Sequence, residues 1–289
     1  MRAGKVVFGT TLGTALEFYD FIIYAVLVPV MSPLFFPSTD PRTSLIMNYA
    51  AFALGSLIRP MGAVYFGSLG DRKGRKKALL LSLTLMAVGT VAIGCMPTYQ
   101  GIGVWAPLCL ILCRLVQGFS AGGEYSGAAL VLIESRPSHM AYRSGVLICM
   151  TTLLAITVGN EFAKIFTAPS MPAWAWRIPF FIGGAIAFIA YFLRRYLTDE
   201  VFRQVAEEQT PDKRASATAF SYRALLAQYG FQMGAMIVIS GFGVMVYYTF
   251  VVYIVTYLKL EHGWAVHEAY GLAVYIAILT FFFLYMGLS

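Results

Sequence analysis

The chain has 289 residues, of which 59% are hydrophobic and 12% charged, and its formal net charge is +7. A soluble domain usually has about 25% charged residues, so this chain has too few charges to solvate a globular surface. The composition therefore predicts a polytopic membrane protein. The positive net charge alone would also suit a nucleic-acid-binding protein, but the distribution of the basic residues, given below, argues against that class.

Eight apolar segments along the chain are long enough to cross a hydrocarbon core of about 30 Å. They are 6–36, 45–66, 78–96, 104–134, 143–167, 174–197, 226–257 and 265–288. The short basic start is followed by a long apolar run without a small-residue cleavage site. We therefore interpret it as the first membrane-spanning helix and not as a removable signal.

One long polar stretch divides these segments. Residues 1–197 are predicted to form an amino-terminal bundle of six helices. Residues 198–225 contain charges of both signs and are interpreted as a cytoplasmic linker. Residues 226–289 then contribute the first two helices of a carboxy-terminal bundle.

Most lysines and arginines lie in segments that fall on the same side of the membrane when the spans alternate. They are Arg2, Lys5, Arg72, Lys73, Arg75, Lys76, Lys77, Arg136, Arg143, Arg194, Arg195, Arg203, Lys213, Arg214 and Arg223. The loop at 97–103, on the other side, has no charge. The positive-inside rule then predicts a cytoplasmic amino terminus. We expect a multi-pass protein of the inner (plasma) membrane. The tryptophans fall at the predicted outer ends, where an aromatic belt is expected: Trp105, Trp174, Trp176 and Trp264.

The first predicted span carries two acids in its middle, in the stretch ALEFYDF. Glu17 and Asp20 are three residues apart and share a helix face, which Tyr24 extends. A carboxylate at the centre of a bilayer costs roughly 2.5–3.5 kcal/mol on insertion scales. This polar face is therefore expected to border a cavity or the interior of the bundle.

Arg59 in the second span is the nearest candidate partner. From the cytoplasmic ends, Glu17 is about 16 Å deep and Arg59 about 12 Å deep, and Asn48 lies on the stripe of Arg59 at helical spacing. One hypothesis is that Arg59 neutralises Glu17 and leaves Asp20 freer to take up a proton. The alternative is a purely structural buried ion pair that fixes helix packing.

The fourth span contains RLVQGFSAGGEYSGAA. One stripe of this helix carries Arg114, Gln117 and Tyr125, with Glu124 to its side. A guanidinium within a span needs an acid, carbonyl groups or an anionic ligand. The glycines of this segment are expected to let neighbouring helices approach closely.

Three further features can be interpreted from the local sequence. In GSLGDRKGRKK, Gly67 and Gly70 would permit a tight turn, and Asp71 would suit the amino-terminal end of the following helix. Glu161 and Lys164 are three residues apart and are expected to pair locally. The tyrosines of the seventh span either cradle a quaternary ammonium or serve packing and interfacial anchoring: Tyr247, Tyr248, Tyr253 and Tyr257.

Several functional classes lack any motif. There is no GxxxxGK[ST] or HExxH pattern and no clustered Cys/His set. We therefore predict that the protein is not an enzyme, does not hydrolyse ATP and holds no metal or cofactor. Cys109 and Cys113 are one helical turn apart without a nearby acid or histidine, and they are interpreted as buried apolar residues.

Taken together, the motifs resemble the major facilitator superfamily. Its loop signature G-x-x-x-D-R-x-G-R is matched by Gly67, Asp71, Arg72, Gly74 and Arg75. Its helix-four pattern R-x-x-Q-G-x-x-x-G is matched by Arg114, Gln117, Gly118 and Gly122. Within the superfamily, EFYDF, IRPMG, GGEYSGA and WRIPFFIG resemble the metabolite:proton symporters for organic acids, proline and betaine.

This resemblance implies secondary active, proton-coupled symport of a small carboxylate or zwitterion by alternating access. Carried over by position, the coupling candidates are Glu17, Asp20 and Glu124, and the substrate-binding candidates are Tyr24, Arg59, Arg114, Gln117 and Tyr125. The cytoplasmic gate would comprise Gly67, Asp71, Arg72, Gly74 and Arg75. The partners implied are substrate, protons and lipid; no nucleic acid or oligomer is expected.

The superfamily has twelve spans, whereas this chain is predicted to have eight. We therefore expect half of the cavity wall to be missing. The alternative to a working symporter is a truncated or degenerate transporter without transport activity of its own.

Overall fold

A computed structural model describes residues 2–134, 141–208 and 222–286. Throughout these three ranges the regular backbone is helical, and none of it forms a strand. The structure confirms the predicted all-α class. Residues 209–221, in the predicted linker, and residues 135–140, with Arg136, lie outside the described residues.

The helices follow the predicted spans closely. They are α1 (Arg2–Phe35), α2 (Pro41–Leu57), α3 (Arg59–Lys73), α4 (Arg75–Cys95), α5 (Tyr99–Ile102), α6 (Trp105–Glu134), α7 (Ala141–Phe166), α8 (Ile178–Glu208), α9 (Tyr222–Tyr247), α10 (Ile254–His262) and α11 (Val266–Met286). A 3₁₀ turn, Ala175–Arg177, precedes α8, and a π-helical segment, Tyr248–Tyr253, joins α9 to α10.

Within the described residues, six stretches are long and apolar enough to cross a membrane. They are Gly13–Phe35, Pro41–Gly70, Lys76–Cys95, Trp105–Gly123, Ala175–Phe192 and Ala227–His262. The remaining two predicted spans are also helices, α7 with 26 residues and α11 with 21 residues.

The second predicted span consists of two helices, with the break at Ile58. Pro60 stands in the first turn of α3. Proline lacks a backbone N–H and its ring crowds the carbonyl four residues earlier, so it begins a helix more readily than it continues one. Arg59 is consequently the first residue of α3, directly at the break.

The turn between α3 and α4 lies at Gly74, later than predicted. Gly67 and Gly70 are inside α3, and Asp71 is in the last turn of α3, not at the start of α4. Gly74 has φ of 94°, a conformation in which a glycine avoids the clash that a Cβ would cause. The turn between α3 and α4 therefore forms at Gly74, which has a positive φ, and not at Gly67 or Gly70.

Helix α1 is at the centre of the bundle, where it packs against α2, α6, α7 and α8. Its middle is fully enclosed: Ile23, Ala25 and Leu27 have no exposed surface. Helix α6 packs in turn on α2, α3 and α4. The polar residues of α1 and α6 therefore face each other within the bundle.

One tryptophan departs from the predicted belt. Trp176 is only 3% exposed and makes edge contacts with the rings of Phe35 and Phe180. Trp105 and Trp174, at 65% and 58% exposure, remain on the surface. Trp176 thus belongs to the packed interior because the 3₁₀ turn directs it toward α1.

Glycines determine how closely α6 approaches α2 and α3. A Cβ added to Gly118 would overlap the carbonyl oxygen of Gly55, and one on Gly122 would overlap that of Arg59. A Cβ on Gly62 would overlap the carbonyl oxygen of Phe119. These contacts are between backbones, as in membrane helices that pack through small residues.

Helix α9 presents a largely exposed apolar surface. Phe231 is 88% exposed, and Ile237 and Val238 are each 71% exposed. Such a surface would be unfavourable in water but suits contact with lipid chains or further apolar helices.

We expect Gly118→Ala to destabilise the protein, because backbone atoms of α2 cannot move aside as a flexible side chain can. Overpacking of this kind costs about 1–3 kcal/mol, and thermal unfolding of the purified protein in detergent should show a lower midpoint. The control is Gly241→Ala in α9, where an added Cβ would meet no atom within 4 Å. Equal midpoints for the two variants would contradict the close backbone packing.

Candidate functional site

The centre of the bundle contains a cluster of buried polar side chains from α1, α4 and α6. Glu17 and Asp20 in α1 are 2% and 3% exposed. Thr90 in α4 is 2% exposed, and Arg114 and Gln117 in α6 are 1% and 3% exposed. The predicted polar faces of the first and fourth spans are therefore brought together.

Asp20 accepts hydrogen bonds from two helices. Gln117 Nε2 donates to Asp20 Oδ2 over 2.8 Å, and the Thr90 hydroxyl donates to Asp20 Oδ1. Gln117 Nε2 is also 3.1 Å from Thr90 Oγ1. Asp20 is thus tied into a network of hydrogen bonds with Gln117 and Thr90.

Arg114 reaches this network through Gln117. Its Nη1 donates to Gln117 Oε1 over 2.8 Å, so Gln117 bridges the guanidinium and Asp20. The guanidinium carbon is 4.1 Å from the ring centroid of Tyr24, 5.1 Å from that of Phe52 and 5.5 Å from that of Phe21. Arg114 Nε is buried without an acceptor among the described residues.

Arg59 lies across Phe21 from this network. Its guanidinium carbon is 4.2 Å from the Phe21 ring centroid, and its Nη1 is 3.9 Å from Glu17 Oε1. That distance is within ion-pair range but long for a direct hydrogen bond. Arg59 and Glu17 therefore face each other, as the sequence analysis predicted, across a small gap.

The four charged groups border one small pocket. The space in it that the centre of a water molecule can occupy is about 10 Å³, and it is lined by Glu17, Asp20, Phe21, Arg59, Met86, Arg114, Gln117, Gly118 and Ala121. Holding one water takes about 10–15 Å³, so in this conformation the site has room for about a single water and would have to open to admit a solute. It combines two acids, two guanidinium groups and an aromatic ring.

A second polar chain continues from Tyr24 along α1 and α2. The Tyr24 hydroxyl donates to Asn48 Oδ1 over 2.5 Å, and Asn48 Nδ2 donates to Ser32 Oγ over 3.1 Å. All three side chains are at most 1% exposed. Because Tyr24 also faces Arg114, this chain is continuous with the charged cluster.

One tyrosine of the seventh predicted span reaches the aromatic rings of the cluster. Tyr248 lies 6.1 Å from Phe21 and 5.8 Å from Phe52, centroid to centroid, in edge contacts. Tyr253 and Tyr257 are 49% and 39% exposed. Local pairing of Glu161 with Lys164 is confirmed, with 3.5 Å between Lys164 Nζ and Glu161 Oε1.

The other candidate site residues lie away from the cluster, or their side chains are outside the described part of the structure. The side chains of Asp71, Arg75, Glu124 and Tyr125 are not among those that the structure describes. Gly67, Arg72 and Gly74 are exposed near the junction of α3 and α4, and Arg72 borders an open groove along α3 with Tyr65 and Lys73.

The sequence analysis missed Thr90 and Ser32. Ser82 and Thr90 both lie on the buried side of α4, but the sequence does not distinguish them from Thr84 on its exposed side. Ser32 gave no signal, because its hydroxyl bonds the carbonyl of Val28 within the same helix, as serines in apolar helices commonly do.

Relatives of this chain are transporters. It is 32% identical over 289 residues to the glycine betaine/proline/ectoine/pipecolic acid transporter of Dickeya dadantii, covering 96% of this chain and 57% of that protein. It is 35% identical over 271 residues to the alpha-ketoglutarate permease of Escherichia coli K12, covering 91% of this chain and 60% of that protein. The chain thus spans little more than half the length of these relatives.

The fold is similar to that of a solved transporter. The xylose transporter XylE of E. coli, in a partially occluded inward-open conformation, superposes with a TM-score of 0.70 at 14% identity, covering 98% of this chain and 71% of XylE. Residues 6–215 match the family described as "Sugar (and other) transporter". The chain belongs to this family of major facilitator membrane transporters, and its relatives are not enzymes.

We expect Thr90→Val to lower stability, because a side chain of similar shape would leave a buried carboxylate oxygen of Asp20 without its Thr90 donor. Loss of such a partner costs about 1–3 kcal/mol, which should lower the thermal midpoint of the purified protein. The control is Thr84→Val on the exposed face of α4, where the hydroxyl only bonds the carbonyl of Leu80. A midpoint for Thr90→Val equal to that of the control would contradict the network.

Proposed function

We propose that the protein is a secondary active transporter that couples the symport of a small carboxylate or zwitterionic metabolite to protons by alternating access. The observation that carries this proposal is the pocket between Glu17, Asp20, Arg59 and Arg114. Charges within a membrane protein are costly and mark ion or substrate pathways. We assign the protein to the inner (plasma) membrane with its amino terminus in the cytoplasm.

Asp20 is the principal proton carrier in this proposal, with Glu17 and Glu124 as further candidates. Protonation of Asp20 would remove the negative charge that Arg114 faces through Gln117. Arg114 would then be better able to bind a substrate carboxylate. Proton and substrate would therefore favour each other's binding, and this coupling is reciprocal by thermodynamic necessity.

Arg59 and Arg114 are proposed to bind the carboxylate of the substrate. Each has a buried Nε donor that meets no acceptor within the described part of the chain, and guanidinium groups suit carboxylates because they donate in a planar fork. The rings of Phe21, Tyr24 and Phe52 around Arg114 would also suit the cationic end of a zwitterion. The substrates named for the two relatives include both a carboxylate and zwitterions, which supports both substrate classes. Gln117 and Tyr125 are the remaining proposed substrate-binding residues.

Contacts at the Phe35 end of the bundle support alternating access. Tyr49 and Thr256 hydroxyls are 2.7 Å apart, and Lys259 Nζ donates to the carbonyl of Pro29 over 3.0 Å. These contacts join α10 to α1 and α2, and they would have to break for the site to open toward that end. We propose Gly67, Asp71, Arg72, Gly74 and Arg75 as the gate at the opposite, cytoplasmic end.

The proposal is tested by uptake of radiolabelled proline, glycine betaine and α-ketoglutarate into proteoliposomes, with the protein expressed from its complete open reading frame. An imposed inward proton gradient should drive accumulation in the wild type. Asp20→Asn should reduce gradient-driven accumulation by about 10-fold or more, equivalent to ~1.4 kcal/mol of coupling, and retain counterflow. Glu17→Gln should keep partial coupling.

Glu161→Gln is the matched control, because Glu161 is also a carboxylate within a helix of the bundle but pairs with Lys164. Its coupling should equal that of the wild type. Equal proton coupling in Asp20→Asn and Glu17→Gln would contradict the assignment of Asp20 as the principal proton carrier. A wild-type protein without uptake of any of the three solutes would favour the alternative of a chain that does not transport by itself.

A further inference from the structure

Asn48 of α2 is fully buried where α2 packs against α1. The oxygen and the nitrogen of its side-chain amide have different partners. Its Oδ1 accepts from the Tyr24 hydroxyl and its Nδ2 donates to Ser32 Oγ. The Ser32 hydroxyl donates to the carbonyl of Val28 over 2.6 Å. Since the proton of Ser32 is used there, its oxygen is left to accept from the amide N–H of Asn48.

This arrangement of donors and acceptors at Ser32 and Asn48 fixes the orientation of the Tyr24 hydroxyl. With its NH₂ group toward Ser32, Asn48 presents its carbonyl oxygen to Tyr24, so the phenol must donate. The ring is restrained at its other side by Phe52, to which it is stacked at 5.9 Å with an interplanar angle of 10°. The tyrosine is therefore held both at its hydroxyl and along its face.

Tyr24 is in turn the aromatic ring nearest to the Arg114 guanidinium, at 4.1 Å. Among the described residues Arg114 makes one hydrogen bond, to Gln117, and its Nε has no acceptor. A guanidinium with so few polar contacts depends on the surrounding rings for its position. Cation–π contacts of this kind are stronger when the cation is desolvated, as it is here.

We propose that Asn48 is a positioning residue for Arg114 that acts through Tyr24. It does not border the pocket and need not touch the solute. It holds the tyrosine ring in the place where Arg114 can bind Gln117 on one side and a substrate carboxylate on the other. The part that concerns substrate binding rests on the function proposed above.

The transport test compares Asn48→Leu, Tyr24→Phe and the double variant in the same uptake assay. Each single variant should raise KM about 5- to 10-fold, the effect of losing one buried hydrogen bond, with a smaller change in maximal rate. The double variant should raise KM no further than the larger single effect, because both substitutions break the same tether. Additive effects would overturn the proposal.

Asn160→Leu is the matched control. Asn160 is also an asparagine with no exposed surface, but its Nδ2 bonds the carbonyl of Ile156 within its own helix. Its KM should equal that of the wild type. A purely structural role for Asn48 would give less folded protein with unchanged KM in both leucine variants, and this result would also overturn the proposal.

A second measurement requires no transport and separates the two proposals. Thermal midpoints of the purified protein are compared for Asn48→Leu, Arg114→Leu and their double variant. The two side chains are not hydrogen-bonded to each other, so independent sites would give additive shifts. We expect non-additive shifts that become additive in a Tyr24→Leu background. Additivity in both backgrounds would refute positioning through Tyr24, whether or not the protein transports.

Discussion

Two carboxylates and two guanidinium groups in an apolar bundle have to stabilise each other, and the structure at the centre of the protein follows from this requirement. Buried charges are tolerated when they are paired and hydrogen-bonded. Here Asp20 and Arg114 are joined through Gln117, and Arg59 faces Glu17 at 3.9 Å. Neither pair is a close bidentate ion pair. The network of Gln117 and Thr90 around Asp20 is therefore part of what makes the buried charges tolerable.

The cluster depends on close contact between helix backbones. Helix α6 carries Arg114 and Gln117, and its Gly118 and Gly122 let it pack directly against the backbones of α2 and α3. Larger residues at these positions would separate the helices and lengthen the hydrogen bonds across the cluster. The glycines of the fourth span are thus structural residues on which the geometry of the polar groups depends.

The remaining surface is that of a membrane protein. Exposed apolar side chains, such as Phe231 and Ile237 in α9, would be a liability in water but match a lipid environment. A cluster of polar side chains that includes Asp20, Arg114 and Gln117 is instead buried inside the bundle.

The sequence by itself determined the all-helical class, the eight helical segments and the polar faces of the first, second and fourth spans, because hydropathy and helical spacing are local properties. It did not determine the break at Ile58, the turn at Gly74 or the interior position of Trp176, since these depend on backbone conformation and packing. Only the tertiary structure joined Thr90 and Asn48 to the cluster. A hydroxyl or amide in an apolar helix gains its role from the helix that packs against it, and that neighbour is not encoded in the local sequence pattern.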